Sequence, residues 1–133
     1  MKFKTKRAFE RAILMSGYAL LTLRDGARWA AERGLPFVVT ETFTTPAEDL
    51  AVGRQHLVHQ EGRGWDLSIK GWTQQNMKDF EEYMEKKWGH LGAVTSSGKR
   101  NLIELHTGTA LHFHVQVEKQ YAVKAKLGEQ LYG

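Results

Sequence analysis

The chain has 133 residues, 41% hydrophobic and 26% charged, which suits one globular domain with its own core and excludes a disordered chain. It has no cysteine, so disulfides, thiol chemistry and Cys-based zinc knuckles are excluded, and any metal must sit on histidine and carboxylate. The net charge of +4 suits an anionic partner, but no nucleic-acid motif and no basic stripe interleaved with aromatics is present, so Lys2, Lys4, Lys6, Arg7, Lys119, Lys124 and Lys126 read as solvated tails.

In chain order, the basic start and the apolar run Ala12–Leu21 superficially resemble a signal peptide, but Glu10 and Arg11 precede the run and no small-residue cleavage site follows it. The run is also shorter than the roughly 20 residues of a membrane span. The expectation is therefore a protein made in the cytoplasm without a signal peptide and without stable membrane insertion. From Thr5 to about Arg33, Phe9, Ala12, Ile13, Leu20, Leu23, Ala27, Ala30 and Ala31 recur at spacings of three and four, predicting helix divided at Gly17 and stopped at Gly34. Residues 36–43, with Phe37, Val38, Val39, Thr40 and Thr42, predict a strand, and residues 44–58 a loop.

A short strand is expected around Trp65 to Ile69. Thr73 is the expected N-cap of a helix over residues 74–88. Met77, Phe80, Met84 and Trp88 share one side of it, Lys78, Asp79, Glu81, Glu82 and Glu85 face water, and Gly89 ends it. The remainder reads as a β-meander: a strand over residues 91–95, a turn at Ser96-Ser97-Gly98-Lys99, and strands over 101–106 and 110–117 joined by Thr107-Gly108-Thr109. The expected class is α+β, a small antiparallel sheet whose C-terminal hairpin packs against helices, in a single domain spanning residues 1–133.

With Gly108 at the centre of the hairpin turn, Leu105 faces Leu111 and Ile103 faces Phe113 on an apolar side that belongs on the core. The opposite side gathers Glu104 across from His112, with His106 and His114 beside them. Upstream, His59-Gln60-Glu61-Gly62-Arg63-Gly64-Trp65-Asp66 sets a histidine and an aspartate seven residues apart with glycines between. A catalytic zinc needs about three protein ligands and an open position. His59, Asp66 and one of the two late histidines would supply that set.

Together the two segments resemble the D-alanyl-D-alanine metallopeptidases, which include van-type carboxypeptidases and small phage endolysins and share a fold with the hedgehog signalling domain. His59, Gly62 and Asp66 fall on the family's first motif, and His112-Phe113-His114 is similar to its second. Phe37-Val38-Val39-Thr40-Glu41-Thr42-Phe43-Thr44-Thr45 is similar to the approach to the first motif. The resemblance covers about residues 19–117, leaving 1–18 as a helical extension and 118–133 as a C-terminal one.

The resemblance implies Zn²⁺ on His59, Asp66 and His114, Glu104 as general base and His112 beside the developing oxyanion. Thr44 stands where peptidases commonly carry a substrate-binding arginine, leaving Arg54 or Arg63 for that task, with His56 and His106 as further substrate-side residues and His106 as an alternative base. The implied function is cleavage of peptidoglycan stem peptides by an endolysin-like phage or prophage enzyme, acting on the cell wall after release or from a virion. The competing expectation is a non-catalytic zinc-binding module of the same fold, such as a virion component.

Overall fold

The computed structural model describes residues 1–94, 98–107 and 110–122. Within them the chain forms β1 (Lys2–Phe3), α1 (Lys6–Arg11), α2 (Gly17–Glu32), β2 (Val38–Glu41), α3 (Pro46–Ala51), β3 (Gly64–Ser68), α4 (Gln74–Trp88), β4 (Ala93–Val94), β5 (Arg100–Asn101), β6 (Ile103–His106) and β7 (His112–Gln116). Five strands join in one sheet in the order β1-β2-β3-β7-β6, and β4 and β5 pair as a separate ribbon. The α+β class stands, but the sheet is mixed and not a meander. β1 runs parallel to β2, and β7 inserts between β3 and β6. A parallel neighbour needs a long crossover, which residues 4–37 supply through α1 and α2.

The first eighteen residues are thus more than a helical extension, because Lys2 and Phe3 form a sheet edge on Val38 and Val39. The Thr5 and Ser16 side chains cap α1 and α2 by accepting from the Ala8 and Ala19 amides. The early apolar spacing does not feed the core: Phe9 and Ile13 are 63% and 80% exposed. The core begins with Met15 and the buried side of α2, where Ala19, Leu23, Gly26, Trp29 and Ala30 lie at helical intervals.

Residues 44–58 are not all loop. Thr45 and Glu48 form a reciprocal capping box with Pro46 in the first turn, and that starts α3. The cue was present in Thr45-Pro46-Ala47-Glu48, hidden by the weak apolar periodicity that follows it. α4 matches its expected span, with Thr73 and Asn76 capping each other. Gly89, however, is right-handed (φ −55°), and the chain runs on into a tighter turn over Gly89–Leu91. Glu85 does not simply face water: one of its oxygens accepts from both the Leu102 and Ile103 amides at 2.9 Å, tying the start of β6 to α4.

The sheet alternates cleanly. One face carries Val39, Leu67, Phe113, Val115 and Ile103 into the core beneath α2 and α4. Phe80 lies at its centre, with ring centroids 5.2 Å from both Trp29 and Trp72 and 5.7 Å from Phe113. Trp65 is fully buried there, its indole N–H donating to Thr22 Oγ1 at 3.0 Å. The other face carries Asp66, Ser68, His112, His114, Gln116, Glu104 and His106.

The hairpin register differs from the expected one by two residues. Glu104 pairs with His114 and His106 with His112, while Leu105 faces Phe113 and Ile103 faces Val115. A slip of two preserves which side chains share a face, so the apolar and polar sets survive intact. The longer connection leaves Leu105 and Leu111 42% and 52% exposed, not in the core. Gly108, Ser96 and Ser97 lie outside the described residues, as does 123–133 of the expected C-terminal extension.

Candidate metal centre

His59 lies in the tight loop before β3, and two glycines make that loop possible. Gly62 has φ +63°, a left-handed conformation open to glycine. Gly64 opens β3 where a Cβ would meet Val58 Cγ1 at 2.5 Å and the Val115 carbonyl at 2.7 Å. The glycine spacing therefore lets the His59 loop close against β7. Asp66 follows two residues later in β3, directly across from His114 in β7. Beside it β2 carries a bulge: Val39 pairs with Leu67 and Glu41 with Asp66, so one extra residue turns the strand toward the site. Thr42, just past that bulge, is fully buried and offers its carbonyl to His59.

His59, Asp66 and His114 are all buried, at 2%, 7% and 8% exposure, and their ligand atoms all lie within 4.8 Å of one another. Both rings converge on one oxygen: His114 Nδ1 is 2.8 Å and His59 Nε2 3.3 Å from Asp66 Oδ1. Each ring's other nitrogen is already committed. His59 Nδ1 is 2.6 Å from the Thr42 carbonyl, which can only accept, so that nitrogen carries a proton. His114 Nε2 is 3.0 Å from Gln116 Oε1, again an acceptor. In the neutral tautomers these contacts select, the two facing nitrogens and the carboxylate oxygen all present lone pairs to one another. Such a convergence is stable only with protons on the rings or with one cation shared among them.

The electrostatics agree. Burial alone would raise the Asp66 carboxyl, but hydrogen bonds from His114 and His59, and the charge on those rings, hold it far below the usual carboxylate range. Burial opposes charge on His59, yet Asp66 and the Thr42 carbonyl outweigh it and raise the imidazole above its ordinary 6.5. Two imidazoles and a carboxylate form a donor set that fits a metal ion, with Thr42 and Gln116 as the partners that orient the rings.

The neighbouring polar groups are arranged around this set. His106 stacks on His114 with centroids 5.0 Å apart and meets His112 edge-on at 5.2 Å. His112 gives its Nδ1 proton to the Ala110 carbonyl (2.9 Å), which leaves Nε2 facing Asp66 Oδ2 at 4.0 Å. Glu104, opposite His114, has both oxygens engaged, Oε1 by Asn101 Nδ2 (2.9 Å) and Oε2 by His106 Nε2 (3.2 Å). Burial would raise its carboxyl, but those hydrogen bonds and the nearby His106 and His114 lower it.

The remaining sequence candidates fall elsewhere. Arg54 is held by Asp49 at 2.7 Å in a small pocket of about 190 Å³ that Thr44 also lines. Arg63 is tied to Glu61 and to the Val117 carbonyl, at 3.1 and 2.9 Å. His56 is exposed on the loop after α3 and lines neither pocket. A larger cleft of about 610 Å³ does open beside the centre, and Asp66 and His112 line it together with Lys4 and Lys70. Lys4 is exposed, as expected, and stands on the wall of that cleft, while Arg7 is paired with Glu41 and Glu48.

Sequence reasoning missed Gln116, Thr42, Lys4 and Lys70. Gln116 could have been found, since it shares a strand face with His114 two residues away; Thr42 had no local signal. No helix among the described residues is long and apolar enough to cross a membrane. Compared with protein-family models, with curated proteins and with solved structures, the chain matches none.

Proposed function

We propose that this chain is a zinc-dependent peptidase of the D-alanyl-D-alanine metallopeptidase kind, with a hedgehog-like fold, acting on peptidoglycan stem peptides as an endolysin does. The observation that carries the reading is the convergence of His59 Nε2 and His114 Nδ1 on Asp66 Oδ1, with both outer nitrogens already bonded. Two histidines and one carboxylate, with no cysteine in the chain, match the ligand chemistry of a catalytic zinc with one open position. Held by His59, Asp66 and His114, zinc would supply Lewis acidity toward a substrate carbonyl and would lower the pKa of a bound water to about 7.

The protein's own groups do the rest. Glu104, ionised and on the same sheet face as His114, would take a proton from the attacking water, with His106 Nε2 and Asn101 Nδ2 orienting its carboxylate. His112, its Nδ1 fixed by Ala110, stabilises an oxyanion only as the imidazolium, because only then does Nε2 carry a hydrogen. The cleft beside Asp66 and His112 admits the peptide. Endolysin action, release onto the wall and a place in a virion all rest on the family resemblance.

A second reading, a non-catalytic zinc module, draws on one observation: both Glu104 oxygens are already occupied, by Asn101 and His106. The experiment that decides is hydrolysis of purified peptidoglycan by zinc-loaded protein from about pH 6 to 9, a range that spans imidazole titration. Release of peptide fragments, reduced about 10²–10⁴-fold in Glu104→Gln with zinc content unchanged, supports the peptidase. No release from any wall preparation, with zinc bound, leaves only the module.

A further inference from the structure

An apolar groove of about 900 Å³ runs along the start of α2, and the proposed chemistry leaves it unused. Tyr18, Leu21 and Arg24 stand on one wall, at the intervals of three that set side chains in a row on a helix. Gln120, Tyr121 and Ala122 form the other wall. The Tyr18 and Tyr121 rings meet with centroids 4.5 Å apart. Tyr18 and Leu21 are each 47% exposed, so the groove holds apolar surface in water that an occupant would cover.

Position and composition both point to the same occupant. Tyr121 and Ala122 lie in the groove wall, and residues 123–133 of the chain follow them directly. A segment tethered at that point meets the groove at an effective concentration in the millimolar range, so weak contacts are enough to seat it. At about 3.3 Å per residue it spans up to about 36 Å, which reaches every part of a groove this size. It supplies Val123, Leu127, Leu131 and Tyr132 as apolar side chains and Glu129 as its one carboxylate. Arg24 is the complement. Among the described residues it has no ion-pair partner, whereas Arg28, one turn further along α2, is held by Asp25 and Glu32.

The groove also straddles the turn that carries His59. From one wall the Ser16 amide donates to the Gly62 carbonyl at 2.8 Å. On the strand leading to the other wall, the Val117 amide donates to the Arg63 carbonyl at 2.9 Å. Whatever draws the two walls together therefore tightens the turn between them. We propose that residues 123–133 of this chain dock in the groove, with Leu127 and Leu131 covering Tyr18 and Leu21, Glu129 meeting Arg24, and Lys124 and Lys126 left in water. So seated, the segment braces the His59 turn. The brace needs neither metal nor hydrolysis, and it stands or falls apart from the peptidase reading.

The test is residue-resolved amide hydrogen exchange on the metal-free full chain, read at the Ser16 amide that bonds Gly62. In L127D/L131D that amide should exchange about tenfold or more faster than in the wild type, while the amides pairing β3 with β7 keep their rates. Leu21→Gln, at a position already 47% exposed, should quicken Ser16 exchange by the same route. Adding it to L127D/L131D should change little more, because both remove one contact. Equal Ser16 exchange in the wild type and L127D/L131D overturns the docking, and so does full additivity of the two changes. Protection that grows with protein concentration would give the groove to the segment of a second copy and overturn the assignment within one chain.

Discussion

Asp49 and Asp66 are both buried aspartates, at 1% and 7% exposure, and the structure uses them in opposite ways. Asp49 Oδ1 accepts from Thr44 Oγ1 and Arg54 Nη1, at 2.8 and 2.7 Å, and its Oδ2 accepts from Gln60 Nε2 at 2.8 Å. Every one of those partners is a donor at any ordinary pH. Asp66 instead faces two imidazoles that become donors there only by taking up a second proton. Low pKa values mark both carboxyls, so electrostatics alone does not tell a structural tie from a ligand set. The identity of the partners does. A carboxylate closed by guanidinium, amide and hydroxyl is finished, while one closed by imidazoles stays open to a cation.

The largest expected effect separates the two directly. Asp66→Ala should weaken zinc binding by more than about 100-fold, beyond the 10–100-fold typical of losing a group that merely orients a ligand. At a hundredfold excess over its Kd, zinc should raise the wild-type melting temperature by about 10 °C, and that rise should vanish in Asp66→Ala. Equal zinc-dependent stabilisation of the two proteins would break the comparison.

Asp49→Ala should behave in reverse, keeping one zinc per chain while losing about 2–4 kcal/mol of folding stability in urea titrations. Removing one partner of a buried pair commonly costs about 3–5 kcal/mol, and the figure is lowered because Arg54 is 28% exposed and regains some water. A variant that lost zinc without losing stability would make Asp49 part of the metal centre.

Gln116→Leu sharpens the claim that ring orientation is built in. It removes the acceptor on His114 Nε2 without touching a ligand, so zinc affinity should drop by about 10–100-fold with the fold intact. Unchanged affinity in a competition assay with a chelating dye would show that His114 needs no such partner.

The smallest effect is on acid stability of the metal-free protein. Burial would raise the Glu48 carboxyl, but the Thr45 amide and hydroxyl and Arg11 lower it from 4.5 to about 2, and Asp49 is lowered for like reasons. Both bind their protons less readily when folded, so their stabilisation is complete above about pH 5 and is lost as pH falls from about 4.5 toward 2. Unfolding free energy should fall through that window, and Glu48→Gln should flatten part of the slope. A profile that rose on acidification would contradict the assignment.

The sequence by itself determined the alternation of the sheet and the membership of its two faces. Side chains two apart on a strand share a face whatever the partner strand does, so Glu104, His106, His112 and His114 stayed together even though the hairpin register moved by two residues. It also marked α4 through its cap and apolar stripe, and the turn after His59 through Gly62, whose left-handed φ is a local demand. Only the tertiary structure decided what lies opposite what. That β7 slots between β3 and β6, setting Asp66 against His114, follows from pairing strands nearly fifty residues apart, which no local spacing encodes. The same holds for Thr42, aimed at His59 from beyond a bulge, and for Lys4, carried from the chain's start to the cleft by a parallel edge strand. Periodicity fixes a side chain's direction from its own strand; its neighbours come from packing the whole core.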